Sequence, residues 1–353
     1  MSTPLPKAPA LELESSLGRS CDVLSAPDAS SFASYPASWY FFGPSSSVQK
    51  PGGSPVSRQL AGERVVVYRG ADGVLRALDA HCCHMGADLA GGEVEGNCIC
   101  CPFHGWQYDG DGRCVMVPSG APPPFARQGV HPVVERDGCI FVFRGSSLQA
   151  FPLPTFSALP REGLVPGRPF RFDGPWPWYV TFANGFDIQH MTCVHDRKLL
   201  GEPIVEELGF HGRRLRYRTE VCGRSLADRA LRAFVGTEVD VTIDFWGGTM
   251  AWVIARFRHA TSYVLITFDP RDNDTTHLQL VPFQRNTLWN RSPIGRLSLE
   301  LRRLLTISFL RHDLDDLGEV IYRPGTLVEA DRNLIQAYRW LADLPAVEPE
   351  STG

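Results

Sequence analysis

The stretch CCHMGADLAGGEVEGNCICCPFHGW, residues 82–106, contains two pairs that each combine one cysteine with one histidine. Cys82-x-His84 comes first, and Cys101-x2-His104 follows. A zinc finger of the Cys2His2 type has both cysteines in one pair and both histidines in the other, so the mixed order argues against that class. Mixed pairs suit a centre with two chemically different metal ions, in which each loop reaches both ions.

The sequence around this stretch predicts a small antiparallel β-domain. Short apolar runs such as RVVVYRG and CIFVFRG alternate with Gly and Asp-Gly, which is typical of short strands joined by turns. The run Asp109–Gly112 predicts a hairpin turn. Cys98 and Cys100 are predicted to be strand residues beside Cys101.

Composition limits the class of protein. The chain has 353 residues, a net charge of −4 and ten cysteines, seven of which lie between Cys82 and Cys139. Clustered cysteines without a secretory signal favour metal binding in a cytoplasmic protein. Basic residues are scattered, so no nucleic-acid partner is expected, and no apolar run is long enough to predict a transmembrane segment. Residues 294–310 are amphipathic, for which a packed helix is favoured over membrane contact.

A second constellation, Asp187-x2-His190-x4-His195, lies in the segment NGFDIQHMTCVHD. Two histidines and one carboxylate with open positions form the facial triad of non-haem Fe(II) oxygenases. Asp187 and His190 are three apart and are predicted to share a helix face. His195 misses that face, so the helix must end or become irregular after His190.

The third ligand of such a triad has to come from elsewhere. The segment FLRHDLDDLGEV contains Asp313, Asp315 and Asp316, and two of these three are expected to be solvated acids of a helix turn.

On these motifs the chain resembles the Rieske non-haem iron oxygenases, large (alpha) subunit. Residues 187–195 and 328–341 are closest in style to aminopyrrolnitrin oxygenase-like and 3-ketosteroid 9α-hydroxylase-like monooxygenases. The resemblance implies an α+β chain with an N-terminal all-β Rieske [2Fe–2S] domain and a helix-grip (START-like) catalytic domain, which has an antiparallel sheet and helices. The predicted units are a loosely ordered segment 1–36, the Rieske domain 37–148, the mononuclear iron domain 149–345 and a tail 346–353.

The resemblance also implies ligands and roles. Cys82, His84, Cys101 and His104 would hold the [2Fe–2S] cluster, in which two thiolates bind one iron and two imidazoles the other. His190, His195 and Asp313 would hold Fe(II), with Asp316 as the alternative carboxylate. Asp187 would bridge His190 and a Rieske histidine across the subunits of a homotrimer. Asn184 is either a helix cap or a residue that supports the iron site.

The expected function is that of a terminal oxygenase that consumes O2. No GxGxxG fingerprint is visible, so no bound flavin or NAD(P) is expected, and a separate ferredoxin and/or flavin reductase would supply electrons. The expected substrate is an apolar aromatic or polycyclic small molecule of natural-product or xenobiotic metabolism. Monooxygenation by C-hydroxylation or arylamine N-oxygenation, and alternatively desaturation or oxidative cyclisation, stay open. Rival hypotheses are a Rieske electron carrier or redox sensor and a zinc-stabilised binding module. The predicted pocket residues are Phe182, Phe186, Met191, Ile243, Phe245, Trp246 and Trp252, each of which could equally be core.

Overall fold

The computed structural model describes residues 25–347, apart from residues 49, 225, 273 and 319. Three small antiparallel sheets occupy the first part of the described chain, in the orders β1-β11-β10, β2-β3-β4-β9 and β5-β6-β7-β8. Their strands are β1 (Ser38–Pro44), β2 (Val56–Leu60), β3 (Glu63–Arg69), β4 (Leu75–Asp79), β5 (Glu93–Glu95), β6 (Cys98–Cys100), β7 (Gln107–Tyr108), β8 (Cys114–Met116), β9 (Val130–His131), β10 (Val133–Arg136) and β11 (Cys139–Arg144).

One nine-stranded sheet dominates the second part, in the order β12-β20-β19-β18-β17-β16-β14, with β13 paired to β20 and β15 to β16. Its strands are β12 (Leu164–Pro166), β13 (Phe170–Gly174), β14 (Arg197–Leu199), β15 (Ile204–Glu207), β16 (Gly212–Val221), β17 (Glu238–Trp246), β18 (Met250–Phe257), β19 (Thr261–Pro270) and β20 (Thr276–Arg285). The helices are α1 (Trp178–Ala183), α2 (His190–Cys193), α3 (Leu226–Phe234), α4 (Leu288–Arg291), α5 (Pro293–Leu317) and α6 (Arg332–Ala342).

The large sheet is covered on both faces, because side chains alternate between its faces along each strand. One face packs on α1, α5 and α6 in an aromatic cluster that includes Phe182, Phe245 and Leu314. The opposite face packs on β1 and β11 of the first sheet in a cluster that includes Trp39 and Trp252. The large sheet therefore packs against helices on one face and against the β1-β11-β10 sheet on the other.

The predicted α+β class, with antiparallel sheets followed by a sheet-and-helix unit, is confirmed. Cys98 and Cys100 lie on β6, as predicted. Helix α3 lies between the strands β16 and β17 of the large sheet.

The prediction of a loosely ordered segment 1–36 is wrong for its last residues, while residues 1–24 lie outside the described part. Residues Ala29–Phe32 form a 3-10 helix, and the Phe32 ring is buried and stacks on Tyr179 with a centroid distance of 4.2 Å. Tyr35 accepts the N–H of Val347 through its backbone carbonyl, so the start of the predicted tail 346–353 is tied to this segment. The end of the tail, residues 348–353, is not described.

Among the described helices, none combines the length and the apolar character that a membrane span requires.

Candidate metal centres

The two loops that carry the mixed Cys–His pairs have the same backbone hydrogen bonds. In the first loop Cys82 donates its N–H to the carbonyl of Ala87 at 2.9 Å and accepts the N–H of Gly86 at 2.8 Å. In the second loop Cys101 donates to Trp106 at 2.8 Å and accepts from Gly105 at 3.0 Å. Both glycines have positive φ, 73° and 68°, which L-residues rarely adopt. Each loop is therefore a closed turn that begins at its cysteine and presents its histidine at the tip.

Burial separates the two ligand types. Cys82 and Cys101 are each 3% exposed, whereas His84 and His104 are exposed. The two imidazole rings lie 4.7 Å apart between centroids, and Trp106 stacks on the His84 ring at 4.3 Å. Two buried thiols and two exposed imidazoles match a cluster with an inner thiolate iron and an outer histidine iron.

The chemistry of these groups fits such a cluster. Burial raises the pKa of the Cys101 thiol, while backbone N–H groups of Phe103 and His104 lower it in part. A buried thiolate needs a compensating positive charge, which bound iron supplies. None of the nine described cysteines is in a disulfide, so both ligand thiols are available.

Two residues that support the first loop were not predicted. The Tyr108 hydroxyl lies 3.0 Å from Cys82 Sγ and 3.3 Å from Cys83 Sγ. The Gln128 side chain is 5% exposed, accepts the N–H of Cys83 at 2.7 Å and donates to the carbonyls of Asp79 and His81. Tyr108 could have been found from the sequence, because it lies four residues after His104 on an adjoining strand. Gln128 is remote in sequence from both loops, so no local pattern indicated its role.

We expect Tyr108→Phe to lower the reduction potential of the cluster. A hydroxyl that donates to a cluster sulfur stabilises the more negative, reduced state, so its removal favours the oxidised state. Loss of one hydrogen bond to a charged group corresponds to about a tenfold change in the reduction equilibrium, or about 59 mV for one electron. The measurement is a redox titration followed by EPR.

Tyr68→Phe is the matched control, since Tyr68 is buried in the same core but donates to the carbonyl of Asn97 at 3.3 Å. It should leave the potential unchanged. An equal potential in wild type and Tyr108→Phe would contradict the proposed role of the hydroxyl.

The second centre consists of His190, His195 and Asp313. One nitrogen of each imidazole and one carboxylate oxygen all lie within 4.8 Å of one another. Asp313 Oδ1 is 2.5 Å from His195 Nε2 and 3.7 Å from His190 Nε2. The structure thus brings together the two predicted histidines and the favoured carboxylate, from a short helix, the turn after it and a distant helix.

Local structure explains how both histidines reach one point. Helix α2 begins at His190 and ends at Cys193, and Asp196 has a φ of 50° just before β14. The predicted end of the helix between the two histidines is therefore observed. Asp313 comes from α5, more than a hundred residues later in the chain.

The donor set fits a metal ion. His190 Nδ1 is buried and has no hydrogen-bond partner among the described residues. His195 Nε2 and Asp313 Oδ1 are buried and lie 2.5 Å apart, but neither makes a hydrogen bond to a described residue. Unpaired buried polar atoms are costly, and coordination of a cation would satisfy the two atoms that converge, His195 Nε2 and Asp313 Oδ1. Two imidazoles and one carboxylate are the donor types of the facial triad.

Phe309 orients one of the histidines and was not predicted. Its ring stacks on His195 with a centroid distance of 3.8 Å, and it precedes Asp313 by one helical turn on α5. The Arg197 guanidinium lies over the Phe309 ring, 5.8 Å from its centroid, and donates a hydrogen bond to the His195 carbonyl at 3.0 Å. Helix α5 therefore supplies both a candidate ligand and a support for another.

Asp187 does not share a helix with His190, which corrects that expectation. It follows a 3-10 turn, Asn184–Phe186, and lies before α2. Its Oδ1 accepts the N–H of Gln189 at 3.0 Å and that of His190 at 3.4 Å. Asn184 ends α1, and its carbonyl accepts the N–H of Asp187 at 3.0 Å. Asp187 thus positions the start of the helix that carries His190.

The predicted pocket residues divide between the two faces of the large sheet. Phe186 stacks on Phe245 at 4.2 Å, and Phe182 packs on Phe245 at 5.3 Å, all on the face that also contacts α5. Ile243 packs against the same cluster, and Met191 is buried on α2.

Trp246 and Trp252 lie on the opposite face, with the β1 and β11 side chains. The structure therefore does not bring these two tryptophans to the His190–His195–Asp313 centre. The physical reason is strand alternation: Trp246 follows Phe245 directly, so their side chains point to different faces.

The remaining acids of α5 are placed differently from Asp313. Asp315 and Asp316 are exposed, whereas the Asp313 side chain is 10% exposed. Neither belongs to the group of His190, His195 and Asp313.

Comparisons with known proteins identify a family domain in the first part of the chain and similar folds for most of it. A family model described as the Rieske [2Fe–2S] domain matches residues 38–144. Aminopyrrolnitrin oxygenase PrnD of Pseudomonas fluorescens is 30% identical over 253 residues, which cover 66% of this chain and 63% of that protein. A probable 3-ketosteroid-9-alpha-monooxygenase oxygenase component of Rhodococcus rhodochrous is 39% identical over 40% of this chain and 33% of its own length.

Cholesterol 7-desaturase nvd of Bombyx mori is 33% identical, with 49% of this chain and 40% of that protein covered. The chain thus spans less than two thirds of the length of these curated relatives. Among solved structures, dicamba monooxygenase bound to dicamba matches with a TM-score of 0.64 and 20% identity, covering 88% of this chain and 97% of that one.

Proposed function

We infer that the chain is a terminal oxygenase that uses O2 to oxidise an apolar small molecule. It contains a Rieske [2Fe–2S] domain and shares its fold with Rieske oxygenases, which supports this inference. The observation that carries the proposal is the convergence of His190, His195 and Asp313 in a chain that also has a complete set of candidate cluster ligands. An electron carrier needs the first centre only, so the second favours an oxygenase.

Each residue of the two centres has a defined task. Cys82, Cys101, His84 and His104 hold the cluster, and His190, His195 and Asp313 hold Fe(II). When bound, these groups supply one-electron storage and activation of O2. Phe309 and Arg197 keep the His195 ring in one orientation, and Tyr108 donates to a cluster thiolate. The buried phenylalanines around α1 exclude water from the side of the site that faces the sheet.

The electrons come from a separate ferredoxin and/or flavin reductase in this proposal, and no flavin or NAD(P) is bound. Asp187 connects His190 to the His104 of a neighbouring subunit in a homotrimer. The working units are the Rieske domain, residues 37–148, and the iron domain, residues 149–345, in a cytoplasmic protein.

The substrate class is an apolar aromatic or polycyclic molecule of natural-product or xenobiotic metabolism. The names of the relatives favour this class, since they refer to aminopyrrolnitrin, a 3-ketosteroid and cholesterol. Monooxygenation, by C-hydroxylation or arylamine N-oxygenation, is the favoured outcome. Desaturation is the second candidate, because one relative is named a desaturase. Oxidative cyclisation at the same iron is a further alternative.

Metal analysis of anaerobically purified protein tests the proposal. We expect about three irons and two acid-labile sulfides per chain, with a rhombic EPR signal after dithionite reduction. Equal amounts of iron and sulfide would leave only an electron carrier or redox sensor. Zinc without sulfide would leave a zinc-stabilised binding module.

A further inference from the structure

The outward face of α5 is apolar. Ile294, Leu297, Leu301 and Leu304 are 67%, 71%, 58% and 55% exposed. Their spacing of three, four and three residues places them in one line along the helix. We call these four residues the α5 stripe. Isolated exposed leucines are ordinary, but a contiguous row of them marks a contact surface.

The opposite side of the same helix is packed, so the stripe is not a consequence of a loosely placed helix. Leu299, Ile307 and Leu314 are buried at 6%, 6% and 4% exposure. The sequence favoured a packed helix, and packing accounts for the apolar residues on the buried face of α5. It does not account for the exposed apolar residues of the α5 stripe. Leu288 and Trp289 on α4, directly before α5, are also exposed, at 88% and 57%. The apolar surface thus begins before α5 and includes an aromatic ring of the kind that favours a membrane interface.

The charge around the stripe is strongly positive, although the whole chain has a net charge of −4. Residues 285–304 contain five arginines and one acidic residue, Glu300, which is itself paired with Arg303 at 2.7 Å. A cavity of about 400 Å³ at the start of α5 is lined by Arg168, Arg291 and Arg296, together with Glu300. The surface therefore offers an arginine-lined recess close to exposed leucines.

We propose that this surface docks on an anionic lipid bilayer, with lipid phosphates at the arginines and the α5 stripe among the acyl chains. Leucine and tryptophan on one face and arginine on the flanks are the composition of interfacial helices. Anionic headgroups are complementary to the local charge. A second copy of the chain fits less well, because pairing two stripes would bring the arginines of both copies together without acidic partners.

Vesicle flotation with the full chain tests the proposal. We expect binding to phosphatidylcholine vesicles that contain phosphatidylserine, weak binding to phosphatidylcholine alone, and loss of binding at high salt. Leu297→Glu with Leu301→Glu should lower the partition coefficient at least about tenfold, because two side chains lose their apolar burial. Arg168→Gln with Arg296→Gln should lower it about fivefold per charge.

Leu148→Glu is the matched control, since Leu148 is 96% exposed in a different part of the chain. This variant should bind vesicles as the wild type does. All substituted side chains are exposed or line an open recess, and circular dichroism and cluster absorbance verify folding. Failure to bind anionic vesicles at low salt would overturn the proposal. Self-association that disappears in the Leu297→Glu, Leu301→Glu variant would overturn it in favour of a second copy. Lipid binding needs no turnover, so it is separable from the oxygenase proposal.

Discussion

Asp313→Ala is expected to remove the mononuclear iron and leave the cluster intact. The carboxylate is 10% exposed and is the one negative charge of the group that it forms with His190 and His195. Without it, two neutral imidazoles face the cation. Iron should fall from about three to about two per chain while sulfide stays at about two. Substitution of a residue that only supports a metal ligand lowers activity about 10–100-fold. Loss of a ligand itself should therefore reduce turnover by more than about 100-fold.

Asp316→Ala is the matched control, because Asp316 lies on the same helix, carries the same charge and is exposed. It should retain its iron and its turnover. Iron analysis and EPR of both proteins make the comparison. If Asp316→Ala lost the iron and Asp313→Ala kept it, the assignment of the carboxylate would be reversed.

The sequence is enough to propose most of the candidate ligands because their positions follow from local spacing. Cys82 and His84, or His190 and His195, are close in the chain, and each pair requires a particular turn that its own residues specify. The carboxylate is different, because three acids within four residues of α5 share the same local pattern. Only the packing of α5 on the sheet determines that Asp313 faces inward and Asp316 outward.

Residues that act through tertiary contacts were missed or misplaced for the same reason. Gln128 reaches the first loop from another strand region, and Phe309 acts on His195 from a distant helix. Trp252 looked like a pocket residue because it is bulky and on a predicted strand. Its face of the sheet is set by the register of β17 with β18, which composition does not reveal.

Asp187→Asn is expected to retain both metals and to slow electron transfer between the centres. The Asp187 carboxylate accepts the N–H groups of Gln189 and His190, and an asparagine Oδ1 can accept both. Helix α2 and His190 should therefore stay in place. What is lost is the negative charge of the carboxylate that would accept a hydrogen bond from the N–H of a metal-bound imidazole. In single-turnover experiments the rate of cluster oxidation should fall on the order of 10–100-fold.

Asp331→Asn is the matched control, since the Asp331 carboxylate accepts from the Gln189 side chain at 2.8 Å without contacting a candidate ligand in the described structure. It should leave the rate unchanged. Asp187→Ala separates the two roles of Asp187, because alanine removes the helix cap as well as the charge. Loss of iron in Asp187→Ala but not in Asp187→Asn would assign the cap to iron binding and the charge to electron transfer. A normal rate in Asp187→Asn would leave Asp187 with the structural role alone.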